Sequence, residues 1–232
     1  MNRQLALGIT PRVEASLENF TPGDNAETLA HLSACAQGHG EPFLYLWGGN
    51  GTGKSHLLQA ACQLAGGEGR NSVFIPLEQA ALFTPEILEG LDSLALVCID
   101  DLHRIGGQRP WEEALFHLFN RLRASGCPLI VSARHAPSTL PVTLPDLGSR
   151  LGWGLTLRLR ELNDEQKTRA LIDSAARRGL TMSAEAAGYI LRHCPREMGA
   201  LQHLLDALDR ASLEAQRRLT IPFIKSCLEH PD

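Results

Sequence analysis

The sequence predicts an α/β fold built on a five-stranded parallel sheet, followed by a small all-helical domain. Three observations carry this. Five short apolar segments alternate with helical patterns through the first two-thirds of the chain. A glycine-rich loop joins the first of those segments to a strong helix. Beyond residue 160 no further strand is evident. Near-continuous apolar strands separated by helices indicate a parallel sheet covered on both faces.

In chain order, the first dozen residues read as a tail, because Gly8 and Pro11 oppose a helix there. Residues 43–47 (FLYLW) are short, apolar and aromatic, as a buried strand requires, and residues 72–77, 94–100 and 129–132 read the same way. Residues 155–160 alternate apolar and basic, which suits a strand with one covered face. A helix is predicted over 54–65. Another is predicted over 111–124, where Trp111, Leu115, Leu118, Phe119 and Leu122 recur at helical spacing. Asn163 followed three residues later by Gln166 forms a capping-box signature. Further helices are predicted near 184–193, 196–214 and 221–229, the last capped by Thr220. The expected organisation is a tail over 1–12, a nucleotide-binding α/β core over 13–160 and a helical domain over 161–232.

Composition narrows the function. With 22 Lys+Arg against 26 Asp+Glu the net charge is −4, which excludes a globally basic nucleic-acid binder. Arg158, Arg160, Arg177, Arg178, Arg217 and Arg218 leave open a local basic face, with a solvated surface as the simpler reading. The longest wholly apolar run, Leu94 to Ile99, is far short of a membrane span. No signal peptide is visible at the start, so a cytoplasmic protein is expected. The six cysteines (Cys35, Cys62, Cys98, Cys127, Cys194 and Cys227) include no Cys-x-x-Cys pair, and are expected to be buried, reduced thiols. The histidines show no metal-site spacing, and Trp47, Trp111 and Trp153 are expected to pack in or border the core.

The chemistry lies in the loop. Gly48, Gly49, Asn50, Gly51, Thr52, Gly53, Lys54 and Ser55 fit G-x-x-x-x-G-K-[ST]. Glycines let the backbone wrap closely and aim its N–H groups at the α- and β-phosphates of a nucleotide. Lys54 is placed to reach the β/γ-phosphates and Ser55 to hold Mg²⁺. The following helix turns its positive end to the same anion. The segment Leu96-Val97-Cys98-Ile99-Asp100-Asp101 is an apolar strand ending in two carboxylates. Asp100 is the candidate Mg²⁺ residue, and Asp101 is the candidate for orienting or deprotonating an attacking water. A nucleotide-binding P-loop protein follows from these residues alone.

Other segments carry a resemblance. Asn19-Phe20-Thr21-Pro22-Gly23-Asp24-Asn25 precedes the loop, Gly148-Ser149-Arg150-Leu151-Gly152-Trp153-Gly154 precedes the last strand, and Pro195-Arg196-Glu197-Met198 opens a helix at Arg196. Together with Arg210-Ala211-Ser212 and Gln216-Arg217-Arg218-Leu219-Thr220-Ile221-Pro222, this set resembles the DnaA-related AAA+ family, and within it the Hda-like branch, over nearly the whole chain. The resemblance implies a P-loop AAA+ core with a helical lid. It implies that Phe20 and Pro22 lie against the adenine, that residues 48–55 are the Walker A loop, and that Asp100 and Asp101 are the Walker B pair. It further implies that Ser132 is sensor 1 and Arg196 sensor 2, and that Arg150 is an arginine finger presented to a neighbour's nucleotide. Without the resemblance, Arg150 could simply pair with Asp146. Ala133 and Arg134 stand where relatives often carry an acidic residue. Gln4, Leu5 and Leu7 resemble a sliding-clamp-binding peptide: one amide at a pocket rim and leucines in an apolar groove.

The function so implied is an adaptor bound to ADP or ATP and Mg²⁺. Tethered to the DNA polymerase III sliding clamp, it stimulates ATP hydrolysis by the initiator DnaA and so inactivates it. It reaches DNA mainly through the clamp, binds no membrane, and could form homo-oligomers and hydrolyse ATP weakly itself. The rival readings are an AAA+ initiator core or helicase-loader-like ATPase acting on DNA directly, and a self-sufficient ATPase or phosphotransferase. No helix-turn-helix segment is left over within the 232 residues to serve the first rival.

Overall fold

The computed structural model describes residues 15–215 and 219–229. Five parallel strands form one sheet: β1 (Phe43–Trp47), β2 (Ser72–Pro76), β3 (Leu96–Asp100), β4 (Leu129–Ala133) and β5 (Leu155–Arg158), in the order β2-β3-β4-β1-β5. β3 begins two residues later than the apolar run suggests, and β5 ends at Arg158 rather than residue 160.

Alternation along the strands builds two cores. Tyr45, Val97, Ile99, Leu129 and Val131 face α3 (Arg109–Ser125) and α4 (Pro145–Leu151), meeting Trp111, Leu115, Leu118, Phe119, Leu122, Leu147 and Leu151. Leu44, Leu46, Leu96, Cys98 and Ile130 face α1 (Ala26–Ala36) and α2 (Lys54–Gly67), meeting Leu32, Leu57, Leu58 and Ala61. A parallel sheet clothed on both faces is the reason its central strands read as unbroken apolar runs. Helix α4 went unannounced by periodicity: it has seven residues and follows a stretch broken by Pro137, Pro141 and Pro145.

Four helices follow: α5 (Asp164–Arg177), α6 (Ala184–His193), α7 (Met198–Ala215) and α8 (Ile221–Glu229). They have a separate core of Leu171, Ile190, Leu201, Leu205, Leu208 and Ile224, among others. The Asn163 side chain accepts from the Gln166 N–H, and the Gln166 side chain accepts from the Asn163 N–H, so the capping box is complete. Helix α7 starts at Met198, so Arg196 does not open it; Pro195 to Glu197 form a non-helical lead-in.

The chain divides into two compact units. One comprises the sheet and its helices, namely residues 15–20, Asn25–Gly48 and Lys54–Leu159. The other comprises Thr21–Asp24, Gly49–Gly53 and the chain from Arg160 onward. No helix among the described residues is long and apolar enough to cross a membrane. Cys35, Cys98 and Cys127 are buried, but Cys62, Cys194 and Cys227 are only partly so, which corrects the expectation of six buried thiols.

Candidate functional site

Strand register builds the acidic part of the site. Ile99 pairs with Val131, which makes Asp100 and Ser132 neighbours at the same level of adjacent parallel strands. Both are buried. The Ser132 hydroxyl donates to Asp100 Oδ1 and accepts from the Asp101 backbone N–H at 3.0 Å. Ser55, at the start of α2, also hydrogen-bonds Asp100. Burial pushes the Asp100 carboxyl above its ordinary value, while the Ser132 and Ser55 hydrogen bonds and the Lys54 charge pull the other way. Ser55 and Asp100, the two residues predicted to share Mg²⁺, are thus in contact, and a hydroxyl beside a carboxylate is a donor set that suits this ion.

Asp101 is the one described non-glycine residue with positive φ, at 58°. Aspartate tolerates the left-handed region better than most residues. The turn it makes starts the short segment Leu102–Arg104 and brings His103 Nδ1 to 3.8 Å from Asp101 Oδ1. His103 is a neighbour the motif reading missed; burial holds its imidazole below the ordinary histidine value.

The glycine-rich loop has the geometry its spacing demands. Gly51 and Gly53 have φ of 72° and 94°, open to glycine and strained for other residues. A Cβ on Gly51 would stand 3.0 Å from the Glu197 Cβ, a tight contact added to the strain of a positive φ. Thr52 Oγ1 donates to the Gly49 carbonyl at 2.9 Å, and Asn50 lies between them at the tip. Lys54 is buried, and its Nζ donates to the Gly48 carbonyl at 2.9 Å, curling across the root of the loop. Burial lowers its ammonium below the ordinary value, opposed by Asp101 and Asp100. A buried lysine at the root of a glycine-rich loop is chemistry that suits a phosphate group.

The remaining candidates separate by unit. Phe20 packs on the α1–α2 face of the sheet, its ring 5.9 Å from that of His56 on α2. Pro22 belongs to the second unit, where Gly23 sits so close to Leu162 that a Cβ would stand 2.5 Å from its Cδ2. Arg196 Nε donates to the Leu191 carbonyl at 3.1 Å, and its Nη1 lies 3.3 Å from Asp164. Its neighbour Glu197 is the residue against Gly51.

Arg150, at the end of α4, lies over three rings: Phe116 at 4.6 Å, Trp153 at 5.2 Å and Phe119 at 5.7 Å. The simple alternative of a pair with Asp146 is not what the structure holds; among the described residues no carboxylate partners Arg150. Trp153 is 57% exposed and borders the core, its ring 6.4 Å from that of Phe119. Its ring meets the guanidinium groups of both Arg150 and Arg123, the latter at 5.0 Å. No sequence spacing announces this cluster, because its members come from α3, α4 and the turn before β5. Gln4, Leu5 and Leu7 lie outside the described residues.

Comparisons with known proteins give the family and the fold. The family profile for the bacterial DnaA ATPase domain matches residues 13–158, and that for the lid domain of Hda matches residues 164–228. An uncharacterized protein of Haemophilus influenzae is 44% identical over 229 residues, spanning 98% of this chain and 99% of that one. Domain III of Thermotoga maritima DnaA superposes with a TM-score of 0.78 at 18% identity, covering 95% of this chain and 98% of that one. AMPPCP-bound DnaA from Aquifex aeolicus gives 0.73 at 22% identity, over 88% and 68% of the two chains. The Thermotoga maritima RuvB branch migration motor gives 0.67 at 18% identity, over 93% and 71%. At these identities the solved structures show the shared fold.

Proposed function

The chain belongs to the DnaA-related AAA+ family, as a protein of the Hda type, and from that premise we propose that it inactivates the initiator DnaA by stimulating hydrolysis of DnaA-bound ATP. Residues 48–55, with Asp100, hold ADP or ATP and Mg²⁺, and the bound nucleotide keeps the protein in its docking geometry. Phe20 and Pro22 contact the base; Ser132 acts through Asp100 and Asp101, and Arg196 leaves Asp164 for the phosphates. Gln4, Leu5 and Leu7 tether the cytoplasmic protein to the sliding clamp on DNA. Arg150 then meets the terminal phosphate of ATP held by DnaA.

The observation that carries this reading is Arg150 itself. Its guanidinium rests on three aromatic faces, and no carboxylate among the described residues neutralises it. Ring faces orient a cation while leaving its N–H donors free for an anion brought by another molecule. An arginine supplied in trans is worth about 10³ to 10⁵ in rate for phosphoryl transfer.

The test of the tether is capture of the protein by clamp-loaded DNA. Gln4→Ala and Leu5→Ala should abolish capture and, with it, stimulation of DnaA; full stimulation by both variants would remove the clamp from the scheme. A second reading has one observation in its favour. Lys54, Ser55, Asp100 and Asp101 are all present, and the charges of Asp100 and Asp101 act on Lys54, which permits hydrolysis in cis. Substantial ATP turnover by the isolated protein would favour it.

A further inference from the structure

Helix α4 carries Arg150 in its last turn, yet it has seven residues, and its N-cap, Leu144, makes no side-chain cap bond. A helix shorter than about 12 residues is marginal in water on its own. The position of α4 therefore depends on what it is fastened to. Its start is fastened to Glu112 on α3. The Glu112 carboxylate is fully buried and accepts from the Thr143 N–H, the Thr143 hydroxyl and the Leu144 N–H, at 2.8–3.0 Å. A negative charge there also suits the positive end of the helix. The end of α4 is fastened to Phe116 and Phe119, whose rings carry the Arg150 guanidinium. Glu112, Phe116 and Phe119 stand at i, i+4 and i+7, on one face of α3. One helix face thus holds α4 at both ends.

The same carboxylate reaches a second loop. Its Oε1 accepts from the Gly107 N–H at 2.7 Å. Gly107 belongs to the loop that starts at Asp101, and a Cβ on the adjoining Gly106 would stand 2.9 Å from the Pro141 carbonyl oxygen. The loop after the strand-end carboxylates and the approach to α4 are pressed together and bonded through one side chain.

We propose that Glu112 is a positioning residue for Arg150: it fixes the start of α4 against the loop from Asp101, so that the guanidinium is presented at one place and angle. This rests on the reading of Arg150 as the residue that meets the phosphate of DnaA-bound ATP. Glutamine has the shape of glutamate, but its amide nitrogen must oppose either the Gly107 N–H or the donors before α4, so one of the two bonds to the loops is lost.

The experiment is single-turnover hydrolysis of ATP preloaded on DnaA, with clamp-loaded DNA, titrated with the full chain as parent, Glu112→Gln, Gly106→Ala, Arg70→Ala and Arg150→Ala. Gly106→Ala keeps the carboxylate and forces the two loops apart. Glu112→Gln and Gly106→Ala should each lower the maximum rate about tenfold or more, since a misplacement of about 1 Å costs on the order of 10²-fold, while the half-saturating concentration stays within about twofold of the parent's. Arg70→Ala breaks two bonds to the Ala36 and Ala95 carbonyls, touches neither loop, and should keep the parent's maximum rate. A parental maximum rate for Glu112→Gln, a change in half-saturation alone, or an equal loss in Arg70→Ala overturns the assignment while an inactive Arg150→Ala keeps the reading of Arg150 intact. If Arg150→Ala matches the parent, that reading fails and the inference with it.

Discussion

At the scale of residues, the functional candidates divide into those whose role follows from type and spacing and those whose role depends on neighbours distant in sequence. Lys54, Ser55 and Asp100 belong to the first group, since the loop signature and the strand-end carboxylate predict their meeting. Arg150 belongs to the second. Its place over Phe116, Phe119 and Trp153 depends on packing of α3 against α4, and no local pattern encodes it. Each exposed cation–π contact contributes about 0.5–1 kcal/mol. Trp153→Ala should therefore leave Arg150 present but less well held. Stimulated hydrolysis by DnaA is expected to drop roughly two- to fivefold on the same scale, with Trp153→Phe closer to the parent; single-turnover rates check this. Gly51→Ala is a sharper case. Its φ of 72° strains any other residue and Glu197 crowds a Cβ there, so nucleotide binding should weaken strongly while the circular dichroism spectrum stays that of the parent.

Among elements, strands and most helices were legible because periodicity records which face is buried. The cross-links between elements were not. Glu112, on the first turn of α3, is fully buried, yet its carboxylate is charged-group chemistry with every lone pair used. It accepts from the N–H groups of Gly107, Thr143 and Leu144 and from the Thr143 hydroxyl, at 2.7–3.0 Å. This fastens the loop after Arg104 and the approach to α4, which carries Arg150, to one side chain. Burial alone would raise the Glu112 carboxyl, but the bonds from Thr143, Gly107 and Leu144 outweigh it and hold it below the ordinary glutamate value. Because the folded pKa is depressed, the stabilisation is complete above the ordinary value of about 4.3 and disappears as pH falls through the folded value. Glu112→Gln must aim an amide N–H₂ at a backbone donor on one side. It should lower stability by about 2–3 kcal/mol in urea unfolding at neutral pH, with the gap to the parent shrinking in acid. Asn163→Ala, which removes the cap of α5, should cost about 1 kcal/mol and keep the fold.

For the whole molecule, the two compact units divide between Leu159 and Arg160, with Thr21–Asp24 and Gly49–Gly53 grouped with the second. The sequence could not reveal that Thr21–Asp24 and Gly49–Gly53 group with the helical unit. Such short polar and glycine-rich segments carry no apolar periodicity to say which core they join. The three cores predict a thiol pattern as well. Burial pushes the Cys35 thiol up to about 12 and that of Cys127 up to about 11, and it also raises that of Cys98. Alkylation of the native protein at about pH 8, read by peptide mass spectrometry, should leave Cys35, Cys98 and Cys127 unmodified until the chain is unfolded.

The central claim is that Arg150 acts on a nucleotide held by another protein. The direct measurement is single-turnover hydrolysis of ATP preloaded on DnaA, with clamp-loaded DNA and this protein as parent, Arg150→Ala or Arg150→Lys. The account predicts that Arg150→Ala still binds nucleotide and the clamp but loses stimulation by about 10³-fold or more, and that Arg150→Lys recovers little of it, since a point charge lacks the fork. Stimulation by Arg150→Ala equal to that of the parent would contradict it.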